Sequence, residues 1–225
     1  MVCLTAHCVS ELGVGVSPAS RRRLPVIHEK HHGLPGQLDE GLCGVSRFTF
    51  RLGTACDNSS MADQEWEKRV AEAWASFGSR DEEDNLALID RLAAELPAGD
   101  PSGLYERASV RDAIGLEGEA VSLYQRALDA GLPEEKRRRA VIQLASSLRN
   151  IGAASEAADL LTAELDAASD ELDDAVRAFL ALALADSGRE REAVAAALTA
   201  LARHLPAYQR AVGEYARLLV EPDRR

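Results

Sequence analysis

From residue 61 onward, apolar side chains recur at the three- and four-residue spacing of amphipathic helices. A second such stretch follows the first and ends at Pro97, so the two predict a pair of helices. An aromatic stripe on a helix can serve as a ligand platform, but it more often packs into a core, and we favour the core interpretation here. The stripe consists of Trp66, Val70, Trp74 and Phe77.

Three glycines mark a repeat in the part of the chain that follows. Gly115, Gly152 and Gly188 lie 37 and 36 residues apart, and each separates two amphipathic stretches. Glycine readily adopts the left-handed conformation that ends a helix before a tight turn, so each glycine predicts a helix–turn–helix unit. A further amphipathic stretch around Tyr215 predicts a final capping helix, and nine helices result.

The three units resemble tetratricopeptide repeats over residues 84 to 204. Residues of the first unit that match the repeat signature are Leu104, Tyr105, Ala108, Gly115, Glu119, Ala120, Tyr124, Ala127 and Leu128. The other units repeat the alanine and glycine positions at the same offsets, with Ala145, Gly152 and Ala157, and with Ala181, Gly188 and Ala193. Leu144 and Leu180 directly precede the first of these alanines. The units are similar to the bacterial tetratricopeptide group-five family, found mainly in actinobacteria. This resemblance implies an all-α fold, a right-handed superhelical stack of antiparallel helix pairs with a C-terminal capping helix.

Residues 1–60 differ in composition from the rest of the chain. They hold all four cysteines and show neither a helical nor a strand period of apolar residues. Two interpretations stay open: a disordered N-terminal extension, or a mis-annotated segment upstream of a true start at Met61. In both, residues 61–225 are the predicted helical repeat domain, and residues 1–60 are dispensable for its folding.

The formal net charge of −11 disfavours two classes of partner. An acidic surface repels both the phosphate backbone of nucleic acids and the anionic face of a membrane. No apolar stretch reaches the roughly 20 residues that span a bilayer. Because there is also no basic segment before an apolar run in the first twenty residues, and no cysteine in the helical part, we expect a cytoplasmic protein.

Candidate chemistry is sparse. Residues 61–225 contain one histidine, His204, which is predicted in the last turn of a helix, and a serine nucleophile therefore lacks a base. His28, His31 and His32 could share a metal ion on one helical face, but the glycines and proline beside them disfavour that helix. Acidic clusters fall at predicted helix starts, where a capping role is expected. We predict no enzyme, no metal site and no cofactor.

A binding surface remains as the predicted functional site. In tetratricopeptide proteins the first helix of each pair lines a concave groove, and the resemblance implies this position for Tyr105, Ser109, Asp112, Arg139, Ile142, Ser146, Arg149 and Asn150. The third unit would contribute a less polar end, with Ala178, Leu182, Ala185 and Asp186. For Arg149 and Asn150 a role in ending the helix stays open. The basic run from Lys136 to Arg139 is expected to be a solvated face, with partner contact as the alternative.

The predicted function is that of a protein–protein interaction module, an adaptor or scaffold that binds a protein or peptide in this groove. Arginine binds carboxylates through two parallel hydrogen bonds, so a peptide with an acidic or amide group near Arg149 is the expected ligand. The alternative is a structural repeat protein that assembles with itself into a homo-oligomer. The identity of the partner does not follow from the residues.

Overall fold

The computed structural model describes residues 58–221, with side chains from Met61 onward. Within this range the chain forms nine α-helices, one short 3-10 helix at Phe77–Ser79 and no strand. The helices are α1 (Asn58–Ala75), α2 (Glu82–Ala93), α3 (Pro101–Ala113), α4 (Glu117–Asp129), α5 (Glu134–Asn150), α6 (Ala154–Ala167), α7 (Asp173–Asp186), α8 (Glu190–Ala202) and α9 (Gln209–Val220). None of these helices is long and apolar enough to cross a membrane. The predictions for residues 1–57 lie outside the described residues. They include the candidate metal ligands His28, His31 and His32 and the four cysteines.

The helices pack in the order in which they follow one another along the chain. Four pairs, α1 with α2 through α7 with α8, are followed by the single helix α9. The first helices of successive pairs also touch, since α5 contacts both α3 and α7. This arrangement confirms the predicted all-α stack of antiparallel helix pairs.

Left-handed glycines end the first helix of three pairs. Gly115, Gly152 and Gly188 have φ values of 80°, 91° and 75°. After Gly188, the Arg189 amide donates a hydrogen bond to the Leu184 carbonyl oxygen at 2.8 Å, which satisfies one of the unpaired carbonyls at the helix end. The predicted turn at each glycine is therefore confirmed.

Small residues occupy the points where helices cross. Ala120 of α4 and Ala157 of α6 have no exposed surface, and both belong to a core cluster that extends from α3 to α8. An alanine at a crossing lets two helix backbones approach closely while larger neighbours fill the space beside it. The close packing of each pair depends on these small side chains.

A second, smaller core cluster joins α1 to α2. Trp66 is 4% exposed, and its Nε1 donates a hydrogen bond to the Leu92 carbonyl oxygen at 2.8 Å. Trp74 is half-buried and stacks on Phe77, with ring centroids 5.2 Å apart. The prediction that this aromatic stripe is core is confirmed.

Ala157→Leu should overpack the α6 crossing and lower the free energy of unfolding by about 1 to 3 kcal/mol. Urea denaturation of wild type and variant measures the shift in midpoint, provided that the dependence of the unfolding free energy on urea has the same slope in both proteins. Ala163→Leu is the matched control, because Ala163 lies on the exposed side of the same helix. Equal midpoints for both variants would place Ala157 outside the crossing.

Candidate functional site

Helix α5 lies at the centre of the candidate site, between α3 and α7. On one side the Ser147 hydroxyl donates a hydrogen bond to Asp112 Oδ1 of α3 at 2.8 Å. On the other side Arg149 Nη1 donates to Asp186 Oδ2 of α7, also at 2.8 Å. The helix face between these contacts carries four residues spaced four, three and four apart, which we call the α5 stripe. They are Arg139, Gln143, Ser146 and Asn150.

Lys136, near the start of α5, ties this helix to two earlier ones. Its Nζ lies 2.7 Å from Glu67 Oε1 of α1 and 3.4 Å from Glu106 Oε1 of α3. The same ammonium group lies 5.4 Å from the centroid of the Trp66 ring and 5.7 Å from that of the Tyr105 ring. Because cation–π attraction adds to the two ion pairs, Lys136 is held in place rather than free for a partner.

Arg138 is buried, with 2% of its surface exposed. Its guanidinium donates to Asp170 Oδ1 at 2.5 Å, to Asp173 Oδ1 at 2.8 Å and to the Ala168 carbonyl oxygen at 3.1 Å. All three acceptors lie in or beside the connection between α6 and α7. The prediction of a solvated basic face is therefore wrong for Arg138, because the helix phase turns this residue toward acceptors of the next unit.

Arg137 is held by a carboxylate of the helix that follows. Its two terminal nitrogens donate to Glu164 of α6 at 2.9 and 2.6 Å, in the bidentate geometry that suits a guanidinium and a carboxylate. Glu164 is buried, so this pair is shielded from solvent on one side. Arg137 therefore also serves the packing of its own helix pair.

Arg139 is the exception in the basic run. It is exposed, and it is the one arginine of α5 that forms no ion pair within residues 58–221. The phenol of Tyr105 is close enough to feel its charge: burial raises the pKa of Tyr105, and the positive charge of Arg139 acts in the opposite direction. The structure thus places the charge of Arg139 within electrostatic range of Tyr105, a second predicted site residue.

Other predicted site residues are buried. Ser109, Asp112, Ile142 and Ser146 are each less than a tenth exposed. The Tyr124 hydroxyl donates to Ser109 Oγ at 3.3 Å. Ser109 and Asp112 hold α3 against α4 and α5 through these contacts, and the role of the four residues in partner binding stays a prediction.

Arg149 and Asn150 lie at the end of α5, where the sequence left two roles open. The Arg149 guanidinium donates to Asp186 and, at 3.3 Å, to Asn150 Oδ1. No hydrogen bond of this side chain to a helix carbonyl occurs in the described residues, and Ile151 is the capping residue. Arg149 therefore joins α5 to the end of α7.

Two features of this surface bear on binding. Gln143 of the α5 stripe was not among the predicted residues, and its buried Oε1 accepts no hydrogen bond within residues 58–221. Its position four residues after Arg139 was a signal that could have identified it. On α7, Ala178, Leu182, Ala185 and Asp186 are exposed, and their role as the less polar end of a groove stays a prediction.

Metal ligands do not cluster in the described part of the chain. No group of three or more His, Cys, Asp or Glu there could hold a metal ion. His204 lies beyond the end of α8 rather than in its last turn, and its Nε2 is 2.9 Å from Asp174 Oδ2.

Comparison with known proteins assigns the family. A family model described as "Tetratrico peptide repeat" matches residues 101–219, which is more than half of the chain. The chain therefore belongs to the tetratricopeptide repeat family, whose repeats are modules for protein interaction. A solved structure titled "Crystal structure of YrrB: a TPR protein with an unusual peptide-binding site" is similar at 17% identity and a TM-score of 0.42, over 76% of this chain and 95% of that one. No curated protein matches the chain.

The buried carboxyl group of Asp112 predicts a pH dependence of stability. Burial raises the pKa of Asp112 from 3.8 to about 7, the Ser147 hydroxyl lowers it in part, and the charge of Glu117 raises it further. Because the folded state binds this proton more tightly than the unfolded state, stability should fall as the pH rises from about 4 to about 7. Asp112→Asn removes the titration while keeping the shape of the side chain.

Wild type should therefore lose roughly 1 to 3 kcal/mol of unfolding free energy relative to Asp112→Asn between pH 5 and pH 8. Urea denaturation of both proteins at the two pH values measures this difference. Burial also raises the pKa of Glu106, but that contribution is common to both proteins and cancels. A wild-type stability that changed with pH in parallel with the variant would contradict the assignment.

Proposed function

We propose that residues 61–225 act as a cytoplasmic adaptor or scaffold that binds an extended peptide of a partner protein, and that the protein is not an enzyme. The peptide would lie across α3, α5 and α7, on the concave side of the stack. The observation that carries this proposal is Arg139, an exposed guanidinium without a carboxylate partner among the described residues of an acidic protein.

Electrostatics favours an acidic group on the peptide at this point. The chain has a formal net charge of −11, and the other arginines of α5 are engaged by Glu164, Asp170, Asp173 and Asp186. A peptide carboxylate can bind Arg139 in the bidentate geometry, with the Tyr105 ring beside it. Nucleic acid is disfavoured as a partner, because the acidic surface repels its phosphates.

Polar groups of the α5 stripe suit the backbone of an extended peptide. Gln143 is partly exposed, and its buried Oε1 has no donor in the described residues, so a rotation of this side chain toward the surface would let it accept a peptide N–H. Asn150 continues the same face, and Arg149 lies on the side toward α7. Ser146 and Ile142 are buried and would support this face from within. Ser109 and Asp112 would act behind the surface by holding α3 in position.

The surface of α7 suits small apolar side chains of the same peptide. Leu182 is 37% exposed, with Ala178 and Ala185 on the same face. Apolar contact at one end and a charged hydrogen bond at the other would fix the direction in which the peptide lies. The preferred ligand therefore carries an acidic residue followed or preceded by a short apolar segment.

A peptide series tests this preference. The series consists of decapeptides with the same sequence except at one position, which carries Glu, Gln or Lys. Fluorescence anisotropy would measure their binding. We expect the affinity to decrease from the Glu peptide to the Gln peptide to the Lys peptide. Arg139→Ala should weaken binding of the Glu peptide by about 1 to 3 kcal/mol without moving the unfolding midpoint of the protein.

Arg126→Ala is the matched control, because Arg126 is an exposed arginine of α4 that forms no ion pair within residues 58–221. Its removal changes the net charge by the same amount at a different place. Equal losses for Arg126→Ala and Arg139→Ala would reduce the effect to overall charge and contradict the proposed site.

A further inference from the structure

Helix α9 exposes an unusually large share of its apolar residues. Since the helices alternate as first and second members of pairs, α9 holds the first position of a fifth pair, and no second helix follows it within residues 58–221. It packs against α8, yet Ala216 is its one buried residue. The side that a second helix covers in the other pairs is thus open.

The open side carries four residues that we call the α9 stripe. Three lie in the helix at spacings of four and three, and the fourth, Tyr208, directly precedes the helix and lines one pocket with Ala211 and Tyr215. It consists of Tyr208, Ala211, Tyr215 and Leu218. Tyr208 is 81% exposed, Tyr215 66% and Leu218 48%. This spacing is the one by which the seam of a two-helix coiled coil places its residues on one face.

Backbone strain is found at the start of the same stripe. Tyr208 has a φ of 67°, the one positive value among the described residues other than glycine. A bulky residue in the left-handed region costs free energy that the surrounding structure must offset. The residue in this strained conformation carries a highly exposed aromatic ring.

We propose that the α9 stripe docks the α9 stripe of a second copy, with the two helices antiparallel about a two-fold axis. In this register Tyr208 faces Leu218 of the second copy, and Ala211 faces Tyr215. Each layer then combines a large ring with a smaller side chain. A parallel arrangement would instead set Tyr against Tyr and Ala against Ala, which alternates crowded layers with voids.

The available area sets the strength of this dimer. An aromatic side chain buries roughly 200 Å², so the exposed parts of the two tyrosines supply roughly 300 Å² per copy. With Leu218 and Ala211 the total for both copies is on the order of 900 Å², which is below the roughly 1,000 Å² of a stable interface and in the range of weak, transient ones. The expected dimer is therefore weak and depends on protein concentration.

Charges at the border of the stripe are compatible with self-association. Glu214 and Glu221 flank it, and Arg217 pairs with both, at 2.6 Å to Glu214. Each chain still carries a formal net charge of −11, so two copies repel at long range. Screening by salt should strengthen an interface made of apolar side chains, whereas it would weaken the binding of a basic partner.

Sedimentation equilibrium of the full chain tests the proposal, at loading concentrations from about 1 μM to about 300 μM and with reductant, because the chain has four cysteines. Wild type should show a monomer–dimer equilibrium that shifts toward dimer as salt rises. Leu218→Glu should raise the dimer dissociation constant by about tenfold or more, since it places a carboxylate inside the seam.

Leu201→Glu is the matched control, because Leu201 of α8 is also a 48% exposed leucine and lies outside the stripe. Tyr215→Ser provides a second disruption of the seam without an added charge. Circular dichroism of each variant checks that the helices remain intact. Arg139→Ala should leave the dimer unchanged, so failure of this proposal is distinguishable from failure of the peptide site.

A wild-type chain that remains monomeric over the whole range would overturn the proposal. So would a dimer that Leu201→Glu weakens as much as Leu218→Glu, since the contact would then lie elsewhere. A dimer that weakens with salt would point to a charged interface and also contradict it.

Discussion

Burial of the Arg138 guanidinium is the interaction on which the position of α5 depends. Three acceptors from the α6–α7 connection surround it, and Glu164 lies 3.3 Å from its Nε. A buried charge is tolerated when it is paired and hydrogen-bonded, and its neighbours must then keep their places. Arg138 therefore fixes the start of α5 relative to the following unit.

The surface proposed for peptide binding follows from this constraint. With Arg138 turned inward and Lys136 held by Glu67 and Glu106, helix geometry directs Arg139 outward to solvent. The contacts Ser147 to Asp112 and Arg149 to Asp186 then fix the flanks of α5 against α3 and α7. The hydrogen bonds and ion pairs that hold successive units together thus leave Arg139 exposed at the centre of the face that α3, α5 and α7 form.

Much of the fold could be predicted because it rests on local rules. The left-handed turns at Gly115, Gly152 and Gly188 follow from the freedom of glycine, and the alanines at crossings follow from the repeat period. Local rules could not predict that Arg138 is buried while Arg139 is exposed. A run of basic residues reads as a solvated face until the position of the next connection is known.

The open side of α9 could not be predicted from the sequence for a related reason. The amphipathic pattern around Tyr215 predicts a helix, but a pattern does not tell whether another helix covers it. Exposure of Tyr208 and Tyr215 becomes visible only when the packing of α9 on α8 is known. Local patterns thus predicted the helices and turns, whereas the contacts between units determine which helix faces remain exposed for binding.

The most direct test compares Arg138→Ala with Arg139→Ala in the free energy of unfolding, measured by urea denaturation. These adjacent arginines have the same chemistry and opposite environments. Arg138→Ala should cost about 3 to 5 kcal/mol, because it leaves buried carboxylates without their partner. Arg139→Ala should stay within about 0.5 kcal/mol of wild type. Similar losses for the two variants would contradict the account.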